Sequence, residues 1–309
     1  MNQINLLLPN QLFKNSPLFN NNFPCYLVEE YLFFKQYPFH KQKIAFHRTT
    51  MKKYADFLIK EMKFDVHYIE SIDSLSDIRL LIPALKNNGV KHINYIDPVD
   101  NWMQKRINQC CEEQNLSFER FASPLFINTE SDLKDFFRRD KKKYHQTTFY
   151  KDQRKKHSIF INVDGKPTGG KWTFDIENRK KYPLKKVPPQ VKFPNSDEYY
   201  EEAKSYVDNY FNDHIGTLTE SPIYPTSFES TKEWLRQFFD YRFFEFGDYE
   251  DAILKENSIL NHSVLTPMLN VGLIEPKEII NDCLNYAEIN NIPINSSEGF
   301  VRQILGWRE

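Results

Sequence analysis

The sequence predicts an α/β chain: a Rossmann-like N-terminal domain built on a parallel sheet, a basic connecting segment, and a helical C-terminal domain. Three observations predict it. Short apolar runs alternate with amphipathic stretches over the first 125 residues, lysine and arginine crowd the middle, and from Ser196 onward the apolar residues recur at helical spacing.

Ile4–Leu8 reads as the first strand, closed by Pro9; Cys25–Glu29, Val66–Ile69, His92–Ile96 and Ser117–Ala122 read as the others. Met51, Tyr54, Ala55, Leu58, Ile59 and Met62 recur at three- and four-residue intervals, which marks one face of a helix. A second helix runs from about Ser76 to Asn88 with Gly89 as its C-cap, and a third from Asp100 to about Asn115, after Asp97-Pro98. This alternation implies a parallel three-layer domain over residues 1–125. Residues 126–196 form the connection, where Gly169-Gly170 and Pro183, Pro188, Pro189 and Pro194 mark an irregular, well-defined path. Residues 197–309 read as helices at roughly Ser196–His214, Glu229–Phe244, Gly247–Glu256, Ser263–Val271, Pro276–Asn290 and Ser297 to the end. Asp197, Glu198, Glu201 and Glu202 give the first of these a favourable N-terminus.

A net charge of −1 hides an asymmetry: Lys134 to Lys192 holds 18 Lys+Arg against 6 Asp+Glu, a local +12, which leaves −13 for the rest. Such a block is either a solvated linker or a surface for phosphate backbones. Leu133, Phe136, Phe137 and Phe149 fall on a helical stripe, which favours a folded helix with one basic face. Lys141, Lys142, Lys143, Arg154, Lys155 and Lys156 are its candidate nucleic-acid contacts.

Composition narrows the class. Forty per cent hydrophobic and 27% charged residues describe an ordinary globular protein, and the 26 Phe and 17 Tyr read as core rather than base-stacking surface. No apolar run approaches the roughly 18 residues of a membrane span, and the N-terminus lacks a basic leader with a cleavage site. Cys25, Cys110, Cys111 and Cys283 show no CxxC or His-paired spacing, so reduced structural thiols in a cytoplasmic protein are expected, with no metal site built from these four. No GxGxxG and no GxxxxGK[ST] follows any strand; a small molecule on this sheet would have to use side chains at its carboxyl edge.

Six segments carry a resemblance. They are LLLPNQLF (Leu6–Phe13), YLVEEYLFFKQYPFHKQKIAFHRTTMKKYADFL (Tyr26–Leu58), GGKWTFDIENRKKYP (Gly169–Pro183), FGDYEDAI (Phe246–Ile253), HSVLTPMLNVGLIEP (His262–Pro276) and EGFVRQILGWRE (Glu298–Glu309). In this order, over nearly the whole chain, they resemble the deoxyribodipyrimidine photolyase-related branch of the cryptochrome/photolyase family, the branch that carries an iron–sulfur cluster. The resemblance implies a ribolumazine antenna in the α/β domain and FAD in the helical domain. Blue light then drives an electron from reduced flavin to a pyrimidine dimer or (6-4) photoproduct that has left the DNA stack.

Carried over by position, the resemblance places His262, Ser263, Leu265 and Thr266 on the flavin diphosphate, where a helix N-terminus suits an anion. Tyr249 becomes a phosphate contact, Trp307 the catalytic position between flavin and lesion, and Arg308 a group on the flavin side. Asn10, Gln11, Glu29 and Glu30, at the sheet's carboxyl edge, become antenna candidates. Taken alone, the same residues also fit a Ser/Thr N-cap before Pro267, two packed aromatics, a surface arginine and solvated loop positions. His40–Arg48 fits the family or the basic start of an amphipathic helix; Asp175 and Asn178 fit a closed turn, a DNA contact or a divalent-ion site.

Family members continue past the WRE motif with the flavin-facing wall, the electron-transfer chain and the cluster cysteines. The expectation is an incomplete photolyase-related flavoprotein without a [4Fe–4S] cluster, monomeric as in the family. Its expected partners are UV-damaged DNA and a separately encoded C-terminal half. The alternatives are a non-catalytic antenna-chromophore or DNA-binding module, or a cryptochrome-like photoreceptor remnant.

Overall fold

A computed structural model describes residues 2–309. Along the chain run β1 (Gln3–Leu7), β2 (Cys25–Val28), α1 (Tyr31–Phe34), α2 (Lys41–Lys60), β3 (Val66–Ile69), α3 (Ile78–Asn87), β4 (His92–Ile96), α4 (Asn101–Glu113) and β5 (Ser117–Phe121). There follow α5 (Glu130–Leu133), α6 (Gln146–Lys156), α7 (Glu198–Tyr210), α8 (Phe228–Tyr241), α9 (Phe246–Tyr249), α10 (Thr266–Val271), α11 (Pro276–Ile289) and α12 (Ile294–Arg302). The chain falls into two compact units.

The first unit takes the chain up to Pro124 together with Phe193–Thr231 and Pro267–Leu273. Its five strands are all parallel in the order β3-β2-β1-β4-β5, with Leu6 opposite both Tyr26 and Tyr95. All five lie within a residue or two of the spans expected from sequence. Ile4, Leu6 and Leu8 alternate onto the face that α3 and α4 cover, packing with Ile78, Ile82, Met103 and Ile107. Gly89, at φ +87°, closes α3 in the left-handed conformation that glycine adopts freely.

Sequence spacing put residues 196–214 in the helical domain. Instead α7 groups with the sheet, because its face meets α2: Lys53 pairs with Asp197 at 2.5 Å and Arg48 with Glu202 at 2.5 Å. The four cysteines are reduced and buried.

Within this unit His47 lies among the rings of Phe33, Phe34 and Phe46, and its Nδ1 has no partner among the described residues. Burial, aided by Lys43, pushes its imidazole down from 6.5 to about 3. The unfolded chain therefore binds the proton more readily, so this stabilising contribution is complete above about pH 6.5 and fades as pH falls toward 3. From about pH 6.5 to about pH 5 the chain is expected to lose about 2 kcal/mol at this site, at about 1.4 kcal/mol per pH unit. Urea unfolding of the native chain and of His47→Met at both pH values checks this. Equal pH slopes would reject it.

The second unit comprises Leu125–Lys192, Lys232–Thr266 and Ile274–Glu309. Its core is aromatic: the Phe238, Phe243 and Phe246 rings surround Phe300 with centroids 4.9–5.6 Å away. Gly247 brings α9 against α12; a Cβ there would meet the backbone of Asn295 and Ser296 at 2.6 Å. The helix expected over residues 247–256 shrinks to the single turn of α9. The Glu250 carbonyl, which would continue it, accepts instead from the His262 ring at 3.1 Å. At the other end α12 runs into a π-helical turn, Gln303–Arg308. The basic stripe also differs from expectation. Only α5 and α6 are helical there, and Phe136 and Phe137 fold back onto Phe149 with centroids at 5.0 and 5.6 Å.

Candidate functional site

The helical unit draws together the residues expected to face a flavin diphosphate. Tyr249 packs with Tyr182, Ala252 and Leu260. The Leu260 amide donates to His262 Nδ1 at 3.3 Å, which leaves the ring proton on Nε2, and Nε2 donates to the Glu250 carbonyl. His262 is thus pinned beside Tyr249. Asn261 Nδ2 donates to the Arg242 carbonyl at 3.2 Å, and Trp234 Nε1 to the Ser263 carbonyl at 2.8 Å. Residues following α8 and on it therefore hold the segment at two points.

Within the segment Val264 has φ +54°, left-handed backbone that a β-branched residue adopts at a cost of about 1–3 kcal/mol. Leu265 is buried and Thr266 exposed as α10 begins. Among the described residues, the amides of Ser263, Val264 and Leu265 donate to no acceptor of the protein. A strained turn presenting free amides suits an anion.

Trp307 and Arg308 are placed otherwise. Trp307 is 62% exposed, and Arg308 donates to the Leu125 carbonyl at 3.3 Å with its guanidinium 5.1 Å from the Phe126 ring. Glu309 ties this end down, its carboxylate accepting from the amides of Ile127 and Asn128 at 2.8 and 2.9 Å. Neither side chain is brought to residues 261–266 by any of these contacts.

The antenna candidates do lie at the sheet's carboxyl edge, but their side chains are buried and committed to the chain itself. Asn10 donates to the Pro98 carbonyl at 2.9 Å, and Gln11 bridges the Leu8 amide and the Ile96 carbonyl. Glu29 accepts from Arg48, the Tyr68 hydroxyl and the Ser71 amide. Glu30 caps α1 through the Leu32 amide at 2.6 Å, and burial raises its carboxyl to about 7. These four side chains stitch the edge together, and of their polar atoms only Asn10 Oδ1 is buried without a partner among the described residues.

The basic segment divides similarly. Lys142, Lys143, Lys155 and Lys156 are exposed. Lys141 lies 3.4 Å over the Phe136 ring, and Lys156 binds Asn128 and Asp132 at 3.0 and 2.8 Å. Arg154 is wholly buried, its guanidinium donating to the carbonyls of Ile159, Phe160 and Trp172, which removes it from any phosphate contact.

Sequence reasoning missed the buried ion clusters. In the first unit Arg48 reaches Glu29 at 2.9 Å, Glu70 at 3.0 Å and Glu202 at 2.5 Å, with its guanidinium 3.4 Å from the Tyr206 ring. In the second, Arg302 reaches Asp175 and Glu250 at 3.2 Å and Glu298 at 3.5 Å. Asn178 donates to Glu250 at 2.6 Å, so Asp175 and Asn178 close an internal contact. No group of three or more His, Cys, Asp or Glu among the described residues is arranged to hold a metal ion, and no helix among them is long and apolar enough to cross a membrane.

Comparison with known proteins gives consistent matches. The family described as deoxyribodipyrimidine photo-lyase-related protein matches residues 5–222. A (6-4) photolyase of Agrobacterium fabrum is 26% identical over 273 residues, which is 87% of this chain and 53% of that protein. An uncharacterized protein of Acanthamoeba polyphaga mimivirus is 33% identical over 195 residues, 60% of this chain and 97% of its own length. In structure the chain is similar to a bacterial class III photolyase from Agrobacterium tumefaciens, with a TM-score of 0.57 at 15% identity, over 99% of this chain and 57% of that one. That last likeness is one of fold. The chain spans about half the length of the (6-4) photolyase.

Proposed function

The chain belongs to the deoxyribodipyrimidine photo-lyase-related protein family, and from this premise we propose that it supplies the diphosphate-holding side of an FAD site. That site would serve blue-light repair of pyrimidine lesions in DNA. The observation that carries the reading is the pinned turn at residues 261–265, with Val264 left-handed and three consecutive amides without acceptors. Bound flavin would supply the light-driven electron; the chain's own work is to hold the nucleotide end. Ser263, Val264 and Leu265 offer amides to the diphosphate, His262 fixes the turn through Nε2, and Tyr249 packs behind it.

Damaged DNA fits the exposed lysines at 142, 143 and 155 as a phosphate-binding surface. Phe244, Ile253, Ile289 and Trp307 leave apolar surface in solvent on the helical unit. Exposed apolar side chains of this kind suit contact with a further protein surface.

The test is retention of flavin. Purified chain incubated with FAD in the dark and passed over a desalting column is expected to elute with a protein-bound flavin band. The amount should fall at least about tenfold when Val264→Pro disrupts the turn, the loss of hydrogen bonds to a charged group. A wild-type chain that elutes colourless after incubation with saturating FAD overturns the reading.

A further inference from the structure

The sheet-bearing unit holds a cavity of about 270 Å³ that shares no residue with the sites described above. It lies among the later turns of α2, Tyr199 of α7, residues 226–229 at the start of α8, and Leu273. Those turns of α2 lead into β3, which places the cavity toward the sheet's amino edge, the end opposite residues 10, 11, 29 and 30. Sites for drug-sized ligands measure roughly 300–1,000 Å³, so this one suits a molecule of about one ring.

Its floor is apolar. Tyr54, Phe228 and Leu273 are buried, and Phe57 packs on the first two with ring centroids 5.7 and 5.3 Å away. The Tyr54 hydroxyl donates to the Phe13 carbonyl at 2.8 Å, which commits its polar end to the chain.

Most polar side chains around the cavity are committed as well. Lys53 pairs with Asp197 at 2.5 Å and donates to the Thr226 hydroxyl at 2.7 Å. Lys60 pairs with Asp56 at 2.5 Å, and Asp56 also accepts from the Tyr199 hydroxyl. The Thr50 hydroxyl donates to the carbonyls of Phe46 and His47, and Ser227 is hydrogen-bonded to Ser230. Two lining carboxylates remain. Glu61 and Glu229 are exposed, and among the described residues neither side chain makes a hydrogen bond or an ion pair.

Both lining lysines therefore have a counter-charge, whereas two carboxylates have none. An anion would meet that negative charge. A cation with an apolar body would lay the body on the rings, whose faces are negative, and bring its charge to the carboxylates. We propose that this cavity binds a small organic cation of about one ring, held through its body by Phe57 and Phe228 and through its charge by Glu61 and Glu229. The site does not depend on the flavin reading, because all of its residues belong to the sheet-bearing unit.

Calorimetric titration of the full chain with benzamidine, benzyl alcohol and benzoate tests this, the three probes being a cation, a neutral molecule and an anion of similar size. Benzamidine is expected to bind with a Kd of about 1 mM, the range of so small a ligand. Benzyl alcohol is expected to bind about fivefold more weakly, and benzoate more weakly still. Glu61→Gln/Glu229→Gln should weaken benzamidine about five- to tenfold and leave benzyl alcohol unchanged. Glu61→Lys/Glu229→Lys should shift the preference to benzoate. Both pairs of substitutions fall at exposed positions, so melting temperatures close to that of the native chain are expected. If the Lys pair lowers the melting temperature, the Gln pair decides.

Equal affinities for the three probes reduce the cavity to an apolar crevice and overturn the proposal. Benzamidine binding that the Gln pair leaves unchanged places the cation elsewhere and overturns it too. So does the absence of benzamidine binding at about 10 mM.

Discussion

Arg48→Met is expected to destabilise the sheet-bearing unit by about 3–5 kcal/mol, as removal of one partner of a buried ion pair does. The reason is what remains. Glu29 is wholly buried, and without the guanidinium only the Tyr68 hydroxyl and the Ser71 amide stay on its carboxylate. Glu70 and Glu202 are partly exposed and regain water, so most of the loss falls on Glu29. Two further results follow. Arg48→Met/Glu29→Gln should recover part of the stability, since a buried amide costs less than a buried charge. Arg48→Met alone should gain stability relative to the native chain as pH falls, because protonating Glu29 relieves it. Urea denaturation at two pH values measures all of these; a loss under about 1 kcal/mol for the single variant would show that solvent already screens the cluster.

Arg302→Met is expected to cost the helical unit a similar amount, about 3–5 kcal/mol. Here three carboxylates lose their common partner: Glu298, wholly buried, which also accepts from the Phe174 amide at 3.0 Å, Glu250, partly buried, whose neighbours are Asn178 and Gln303, and the more exposed Asp175. Glu250 also carries the carbonyl that fixes His262. The variant is therefore expected to loosen residues 261–266 before the unit unfolds. Native-state hydrogen exchange would register faster exchange at Leu260, whose amide is bound to His262. Unchanged exchange at that amide, with a full loss of stability, would separate the ion cluster from the turn.

The hub of each cluster, Arg48 and Arg302, lies inside a segment the sequence singles out, and its role was not legible there. HKQKIAFHR reads as a basic helix start, yet its last residue is the buried hub that joins α2 to β2, to Glu70 beyond β3 and to α7. GGKWTFDIENR and EGFVRQILGW lie over a hundred residues apart and read as a turn and a helix; Arg302 to Asp175 is what joins them. Ion pairs of this kind depend on which side chains meet in space, and single-sequence periodicity carries no such information.

The strands behaved otherwise. Buried parallel strands are short, nearly continuous apolar runs bounded by loops, so Ile4–Leu8 and His92–Ile96 were readable with almost correct ends. Helix ends were less so. The run at residues 247–256 has helical spacing, but a distant imidazole claims the carbonyl that would extend it. Arg154 has the look of a surface cation in a basic run, and three carbonyls of a loop that follows it draw it inside.

By itself, then, the sequence determined the parallel sheet, the helical character of the second half, the basic middle and the family. These follow from local apolar spacing, charge count and long contiguous motifs. Tertiary structure decided which charges are buried, that α7 joins the sheet, that the edge side chains at 10, 11, 29 and 30 close on the chain itself, and that Arg242 is buried without a counter-charge among the described residues. Each of those depends on desolvation and on partners distant in sequence, and a charged side chain looks the same in a sequence whether its partner is another residue, water or an anion the chain has yet to bind.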